Sequence, residues 1–568
     1  MLKHALLACA LGVVLPVLAL ESVPTDANGR STAAVASPDQ YGAETAKLIL
    51  QQGGNAVDAA IATAFTLAVT YPEAGNIGGG GFMVIWFDGQ PYFLDYRETA
   101  PLAASRDMYL DSDRQVIDNL SLLGHLASGV PGTVMGMWQA HQRFGSLPWS
   151  DLLMPAIHYA EQGFVVPDNL QQYGGNALDR YEGKTNFADY FADMTAGKLF
   201  PQPELAATLH RIAERGAEEF YQGETAALIV AEMQRGDGLI ALDDLRQYQA
   251  LWREPLIFPW LDYQLITVAP PSSGGIALSQ LLALKQLRRT DFSGQPVNSA
   301  LYVHLMAEIS KRVFADRADY LGDPAFTKVP QQQLLAADYL KHRADEINPK
   351  AISATEQIKP GLESPQTTHF SIIDHEGNAV SNTYTLNLDF GSGVVVTGAG
   401  FLLNNEMDDF SIKPGVPNAF GVVGGDANAI EPGKRMLSSM TPSILVRDEK
   451  VRLIIGTPGG STIFTSIFQV INNLYDFDMS LTDAVAAPRF HHQLLPKNQI
   501  AMEPYQPLDD SVQQALNDMG YHLLLQRWNL GDIQAIQISE QGVEAVSDPR
   551  GRGKALLIKA SQHQEKRP

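Results

Sequence analysis

The run Gln366-Thr367-Thr368-His369-Phe370-Ser371-Ile372-Ile373, then Asp374-His375-Glu376-Gly377-Asn378, then Ala379-Val380-Ser381-Asn382-Thr383-Tyr384-Thr385-Leu386-Asn387, decides how the chain is read. Two stretches rich in β-formers flank a polar, glycine-containing loop, which is the pattern of a hairpin. With residues 374–378 as the loop, Ile373 faces Ala379, and the same antiparallel register brings Thr367 opposite Thr385. Opposed residues share a face, so a hydroxyl pair sits at the open end of the hairpin, with Asn387 two positions further along. A slip of one residue would send Thr367 to the other face.

A threonine hydroxyl is a weak nucleophile until a base takes its proton. Cutting the chain just before the residue supplies one, because the freed α-amine is then beside the hydroxyl. Thr367 at the start of a strand is compatible with that device. Taken alone it is equally an ordinary β-former.

Beyond the hairpin, strands are expected at 393–396, 441–447 and 451–455, and a helix at 462–475 behind the pair Gly459-Gly460. Before it, residues 147–319 read mainly as helices, for example 204–215 and 276–289. Further back, a helix at 43–52 stops at Gly53-Gly54, and Asn55 can cap the next one. Residues 56–70 are apolar on nearly every side, as in a helix buried all round. The glycine run from Gly75 to Gly81 is followed by strands at 82–87 and 91–96. A dinucleotide loop needs strand, glycines, helix, whereas here the order is helix, glycines, strand. Strands and helices in separate blocks indicate an α+β fold.

The chain opens with Lys3, an apolar run to Leu20 and polar residues from Glu21, the pattern of a signal peptide cut after Ala19. The single cysteine, Cys9, lies inside that run, so the mature chain has no thiol chemistry or disulfide. A lipoprotein signal does not fit, because the apolar run continues well past Cys9. No later stretch is apolar enough to span a membrane. The net charge of −22 disfavours nucleic acid and anionic membranes as partners. An acidic protein that takes an anionic substrate needs local cations, which draws attention to arginines in unusual settings. His491-His492 suggests metal, but adjacent residues point different ways and no further ligands accompany them, so no metal is expected. No Gly-x-Ser-x-Gly elbow is present.

The stretch 367–387 resembles the gamma-glutamyltransferase (glutathione hydrolase) family of the N-terminal-nucleophile superfamily. Further stretches match in the same order: Leu94-Asp95-Tyr96-Arg97-Glu98, Leu403-Asn404-Asn405-Glu406-Met407-Asp408-Asp409-Phe410, Leu437-Ser438-Ser439-Met440, Pro458-Gly459-Gly460-Ser461 and Pro488-Arg489-Phe490-His491-His492. The resemblance runs from near residue 40 to near residue 550. It implies a four-layer αββα sandwich made from one precursor that cuts itself between Gln366 and Thr367, giving interlocked large (20–366) and small (367–568) subunits after a signal peptide at 1–19. It implies Thr367 as nucleophile, Thr385 as its hydroxyl neighbour, and Gly459 and Gly460 as the oxyanion hole. Arg97, Ser438 and Ser439 would hold the substrate's α-carboxylate, and Asn387, Glu406 and Asp409 its α-amine.

Those residue types suit those tasks. An arginine fork matches a carboxylate, and acceptor-only carboxylates suit an ammonium group. A glycine pair opening a helix presents unobstructed N–H groups to a developing oxyanion. Read without the resemblance, Arg97 is a surface strand arginine and Asp408-Asp409 a solvated loop.

The implied substrates are glutathione and other gamma-glutamyl compounds. The resemblance further implies that water or an amino-acid or dipeptide acceptor takes the glutamyl group and that no cofactor is needed, and the expected location is the periplasm or the extracellular space. Three positions depart from the family's usual residues: Met436 stands where proline is common, Glu406 where some bacterial relatives have glutamine, and Phe420 where tyrosine is common. Phe420 is the expected gate of a lid loop at 414–434. Two other readings are a glutaryl (cephalosporin-type) acylase of the same superfamily and a periplasmic solute-binding protein. A glutaryl group has no α-amine to occupy Asn387, Glu406 and Asp409. A binding protein would not be cut.

Overall fold

The hairpin forms in the expected register, with Ile373 paired to Ala379 and Thr368 to Tyr384. The computed structural model describes residues 32–354, 367–413 and 425–560. In chain order its two large sheets use β1 Thr32–Ser37, β2 Gly80–Phe87, β3 Gln90–Tyr96, β4 Leu251–Arg253, β5 Leu256–Trp260, β6 Tyr263–Thr267, β7 Thr368–Ile373, β8 Ala379–Thr385, β9 Ser443–Arg447, β10 Lys450–Gly456, β11 Gln534–Ser539, β12 Gly542–Ser547 and β13 Lys554–Lys559. The seven-stranded sheet has the order β13-β1-β7-β8-β2-β3-β4, and the six-stranded sheet β12-β11-β10-β9-β6-β5. Both sheets therefore mix strands from before and after residue 366.

Alternation along the hairpin sorts its side chains into two cores. Phe370, Ile372, Val380 and Tyr384 join helices α1 (Gln40–Gln51) and α2 (Ala56–Thr70) on the outer face of the first sheet. Ile373 and Ala379 face the second sheet. Helices α3 (Gly274–Leu287), α4 (Ala300–Tyr320) and α5 (Thr462–Tyr475) cover that sheet's far side. The result is the α+β sandwich of helices, sheet, sheet and helices. Every residue of α2 is buried, because the helix is enclosed by the sheet and other helices. Asn55 accepts from the Val57 and Asp58 N–H groups while Asp58 accepts from that of Asn55, a reciprocal cap.

Residues 147–319 are mainly helical, as expected, but β4 to β6 also lie there; Pro255 and the turn at Leu261-Asp262 break that stretch into strands too short to show a clear period. One expectation fails. Residues 393–396 form no strand, only an isolated pairing of Val395 with Leu402 across a turn containing Gly398 and Gly400, both at positive φ.

Candidate active site

Thr367 immediately precedes the first paired residue of β7 and is 8 % exposed. The side chains that share its face by alternation make a polar ladder between the sheets. His369 Nδ1 lies 2.8 Å from Thr383 Oγ1, and its Nε2 lies 3.1 Å from Ser371 Oγ. Ser371 Oγ donates to Gln534 O, and Ser381 Oγ donates to Ile455 O. Burial pulls His369 down to about 3, so it stays neutral, and its two ring nitrogens are taken up by Thr383 and Ser371.

Thr385 closes β8. Its Oγ1 accepts from the Asn387 N–H at 2.8 Å. Asn387 has a φ of 77°, so the strand has ended and the alternation that was to carry Asn387 along the face of Thr367 does not reach it. The turn instead lets Asn387 Nδ2 donate to Asn405 O at 3.0 Å, beside Glu406. The glycine run makes room for this corner. A Cβ on Gly79 would stand 2.0 Å from Thr385 O, and one on Gly80 2.7 Å from Glu98 Oε2. Asn76 locks the turn, donating from Nδ2 to Thr385 O and accepting from the Gly79 N–H.

Arg97 follows β3 directly and is fully buried. Its Nη1 is paired with Glu406 and its Nη2 with Asp409, while Glu98 Oε2 is 3.5 Å from Nη1. Its Nε also donates to Met436 O and its Nη2 to Leu437 O. Burial alone would lower the guanidinium's pKa, but Glu406, Asp409 and Glu98 outweigh it and raise it. Burial pushes Glu98 up to about 7 against the pull of Arg97, and neither of its carboxyl oxygens has a hydrogen-bond partner among the described residues. Burial likewise pushes Glu406 upward, opposed by Arg97.

The loop carrying Ser438 and Ser439 lies against this arginine and against the start of α3. Ser438 N donates to Pro271 O, and Ser438 O accepts from both the backbone N–H and the hydroxyl of Ser273 at 2.7 Å. Ser439 Oγ accepts from Arg317 at 3.1 Å. Gly459 and Gly460 have φ of 136° and 53°, and their carbonyls accept from the Thr462 and Ile463 N–H groups at the start of α5. Across a trans peptide the N–H of Gly460 points away from the Gly459 carbonyl, hence away from the helix. A Cβ on Gly459 would come within 2.4 Å of Thr462 Oγ1.

Sequence reasoning thus named residues that the structure brings together: Arg97, Glu406 and Asp409 in direct contact, Asn387 bonded both to Thr385 and to Asn405, the residue before Glu406, and Ser438 and Ser439 on the adjoining loop. Gln366 and Phe420 lie outside the described residues. It missed Glu98, Asn76 and Arg317. For Asn76 the signal was the glycine run itself, which demands a turn that something must hold. His491 bonds to Thr465 and Gln493, and His492 to Gln499 O. Among the described residues no helix is long and apolar enough to cross a membrane.

A family model described as gamma-glutamyltranspeptidase matches residues 42–558. The chain is 65 % identical over 526 residues to a glutathione hydrolase proenzyme from Pseudomonas aeruginosa, covering 93 % of this chain and 94 % of that one. It is 44 % identical over 527 residues to a glutathione hydrolase proenzyme from Escherichia coli, covering 91 % and 90 %. Among solved structures, a gamma-glutamyltranspeptidase from Pseudomonas nitroreducens complexed with L-DON matches at 62 % identity and a TM-score of 0.57, covering 57 % of this chain and 97 % of that one. A cephalosporin acylase from Bacillus halodurans matches at 27 % identity and a TM-score of 0.81, covering 97 % and 99 %.

Proposed function

The chain belongs to the gamma-glutamyltranspeptidase family, and from that premise we propose that Thr367, freed by a cut after Gln366, is the nucleophile with which it breaks the gamma-glutamyl amide of glutathione and related compounds. It is an autoprocessed gamma-glutamyl hydrolase and transferase. The observation that carries the residue assignment is the ion-paired set of buried Arg97 and Glu406 with partly buried Asp409, one cation against two carboxylates, held against the loop that carries Ser438 and Ser439. That set is complementary to an α-amino acid. On binding, the donor's α-carboxylate takes the guanidinium and the two serines, while its ammonium takes Glu406, Asp409 and the Asn387 side-chain oxygen. Each incoming charge replaces one already paired, so little buried charge is left uncompensated.

In the uncut chain the nitrogen of Thr367 is an amide and not basic. After the cut it is a free α-amine, a base placed beside the hydroxyl of its own residue. Thr367 Oγ1 then attacks the γ-carbonyl carbon as its proton passes to that amine. The Gly459 and Gly460 N–H groups stabilise the oxyanion, and Thr385 sits beside the attacking hydroxyl. The C–N bond breaks, the amine's extra proton goes to the leaving nitrogen, and an acyl-threonine ester remains. Water, or the amine of an amino acid or dipeptide, adds to the ester by the reverse proton transfers, with Phe420 as the proposed gate to that step.

The proposed mature pieces are 20–366 and 367–568, made after removal of 1–19 and located in the periplasm. Both sheets contain strands from both pieces, and in the seven-stranded sheet β1 lies between β13 and β7, so the cut would leave the pieces interlocked. The 57 % of this chain that matches the 97 %-covered Pseudomonas nitroreducens chain is a share suited to a large fragment. The test compares a gamma-glutamyl anilide with the glutaryl anilide that lacks only the α-amine. Turnover of the glutamyl compound at least about a hundredfold faster supports the reading; such a ratio is about 2.7 kcal/mol in transition-state binding. Equal turnover would favour the acylase reading.

A further inference from the structure

Arg317 lies near the C-terminal end of α4 and is 5 % exposed. Its Nε donates to Ser273 Oγ at 3.0 Å and its Nη2 to Ser439 Oγ at 3.1 Å. Ser273 in turn donates twice to Ser438 O, and the neighbouring Ser272 hydroxyl donates to Met440 O at 2.6 Å. The loop Leu437-Ser438-Ser439 is therefore bracketed by two buried guanidiniums. Arg97 holds it by the Met436 and Leu437 carbonyls on one side, and Arg317 holds it by the Ser439 hydroxyl on the other. Asp409 attracts both arginines. Burial pulls Arg317 down to about 10, which leaves it cationic at neutral pH.

A guanidinium only donates, so Ser439 Oγ must accept from it. The Ser439 hydrogen is then directed to some other acceptor, and the oxygen's position is fixed from behind. A carboxylate arriving at Ser439 needs a donor and gains from a second cation one hydroxyl away.

We infer that Arg317 is a positioning residue for the donor's α-carboxylate: it sets Ser439 as a hydrogen-bond donor and polarises that hydroxyl from the side opposite Arg97. This rests on the reading that Ser438 and Ser439 take the α-carboxylate. The effect belongs to donor recognition and not to the chemistry at Thr367.

The experiment is a double-mutant cycle on the full, self-processed protein, using Arg317→Gln, Ser439→Ala and both together, with Arg317→Lys as a variant that keeps the charge. KM and kcat are measured with a gamma-glutamyl anilide, and thermal stability in parallel. Arg317→Gln should raise KM about tenfold or more, as expected for losing a hydrogen bond to a charged group, with kcat within about twofold. The same change in the Ser439→Ala background should move KM less than about twofold, because the residue acts through that hydroxyl. Arg317→Lys should fall between wild type and Arg317→Gln, and it carries the test if Arg317→Gln does not fold.

An unchanged KM overturns the inference. So does a KM effect that persists in full without the Ser439 hydroxyl, or a loss of stability with KM intact. Failure of the underlying functional reading looks different: the wild-type protein itself would not prefer the glutamyl anilide to the glutaryl anilide.

Discussion

The guanidinium of Arg97 is paired with the carboxylate of Glu406, both side chains being fully buried. The cation proposed to receive the substrate's carboxylate is thus held by a group proposed to receive its ammonium. Arg97→Lys keeps one charge but loses the fork that reaches Glu406 and Asp409 together. It should raise KM for a gamma-glutamyl anilide about tenfold or more, roughly 1.4 kcal/mol, while cleavage before Thr367 persists. Steady-state kinetics and a denaturing gel check both halves. An unchanged KM would remove Arg97 from the site.

Glu98 gives the pocket a pH dependence. Its native carboxyl sits at about 7 against an ordinary 4.5, burial being the cause. Between those values the folded protein keeps a proton that the unfolded chain has lost, so this group's contribution to stability is full below 4.5 and is lost as pH rises through 7. Glu98→Gln cannot ionise, so its melting temperature should fall less than that of the wild type between pH 5 and pH 8. Parallel melting curves at the two pH values decide it; identical slopes would mean that Glu98 is ionised throughout.

Gly459 has a φ of 136°, and a Cβ there would meet Thr462 Oγ1 at 2.4 Å. Gly459→Ala should therefore shift the N–H groups proposed to face the oxyanion. Loss of one such donor costs about a hundredfold or more in kcat. KM should stay within about threefold, because the head-group pocket is built from other loops. A rise in KM with kcat intact would place Gly459 outside the oxyanion hole.

Much of this was legible before any coordinates. The five-residue polar loop gave the register of β7 against β8, because with Asp374 to Asn378 as the loop Ile373 must face Ala379, and counting back from that pair gives the face of Thr367. The buried helix Ala56–Thr70 was readable because it lacks a polar side. Strands β4 to β6 were not, being short and interrupted. Asn387 was misplaced because alternation cannot announce where a strand stops; its positive φ does so only in the structure. Arg317 was hidden for a related reason. α4 is buried almost all round and also carries Arg312, which is paired with Glu308, so spacing alone does not say which arginine turns toward Ser439.

The central claim is that Thr367 becomes the first residue of a chain and acts through its hydroxyl and its own amine. N-terminal sequencing of the smaller fragment of the purified protein tests it most directly, alongside Thr367→Ala. The account predicts a fragment that begins Thr367-Thr368-His369, and a Thr367→Ala protein that remains one uncut, inactive chain. A fragment beginning at any other residue, or a Thr367→Ala protein that is both cut and active, would contradict it.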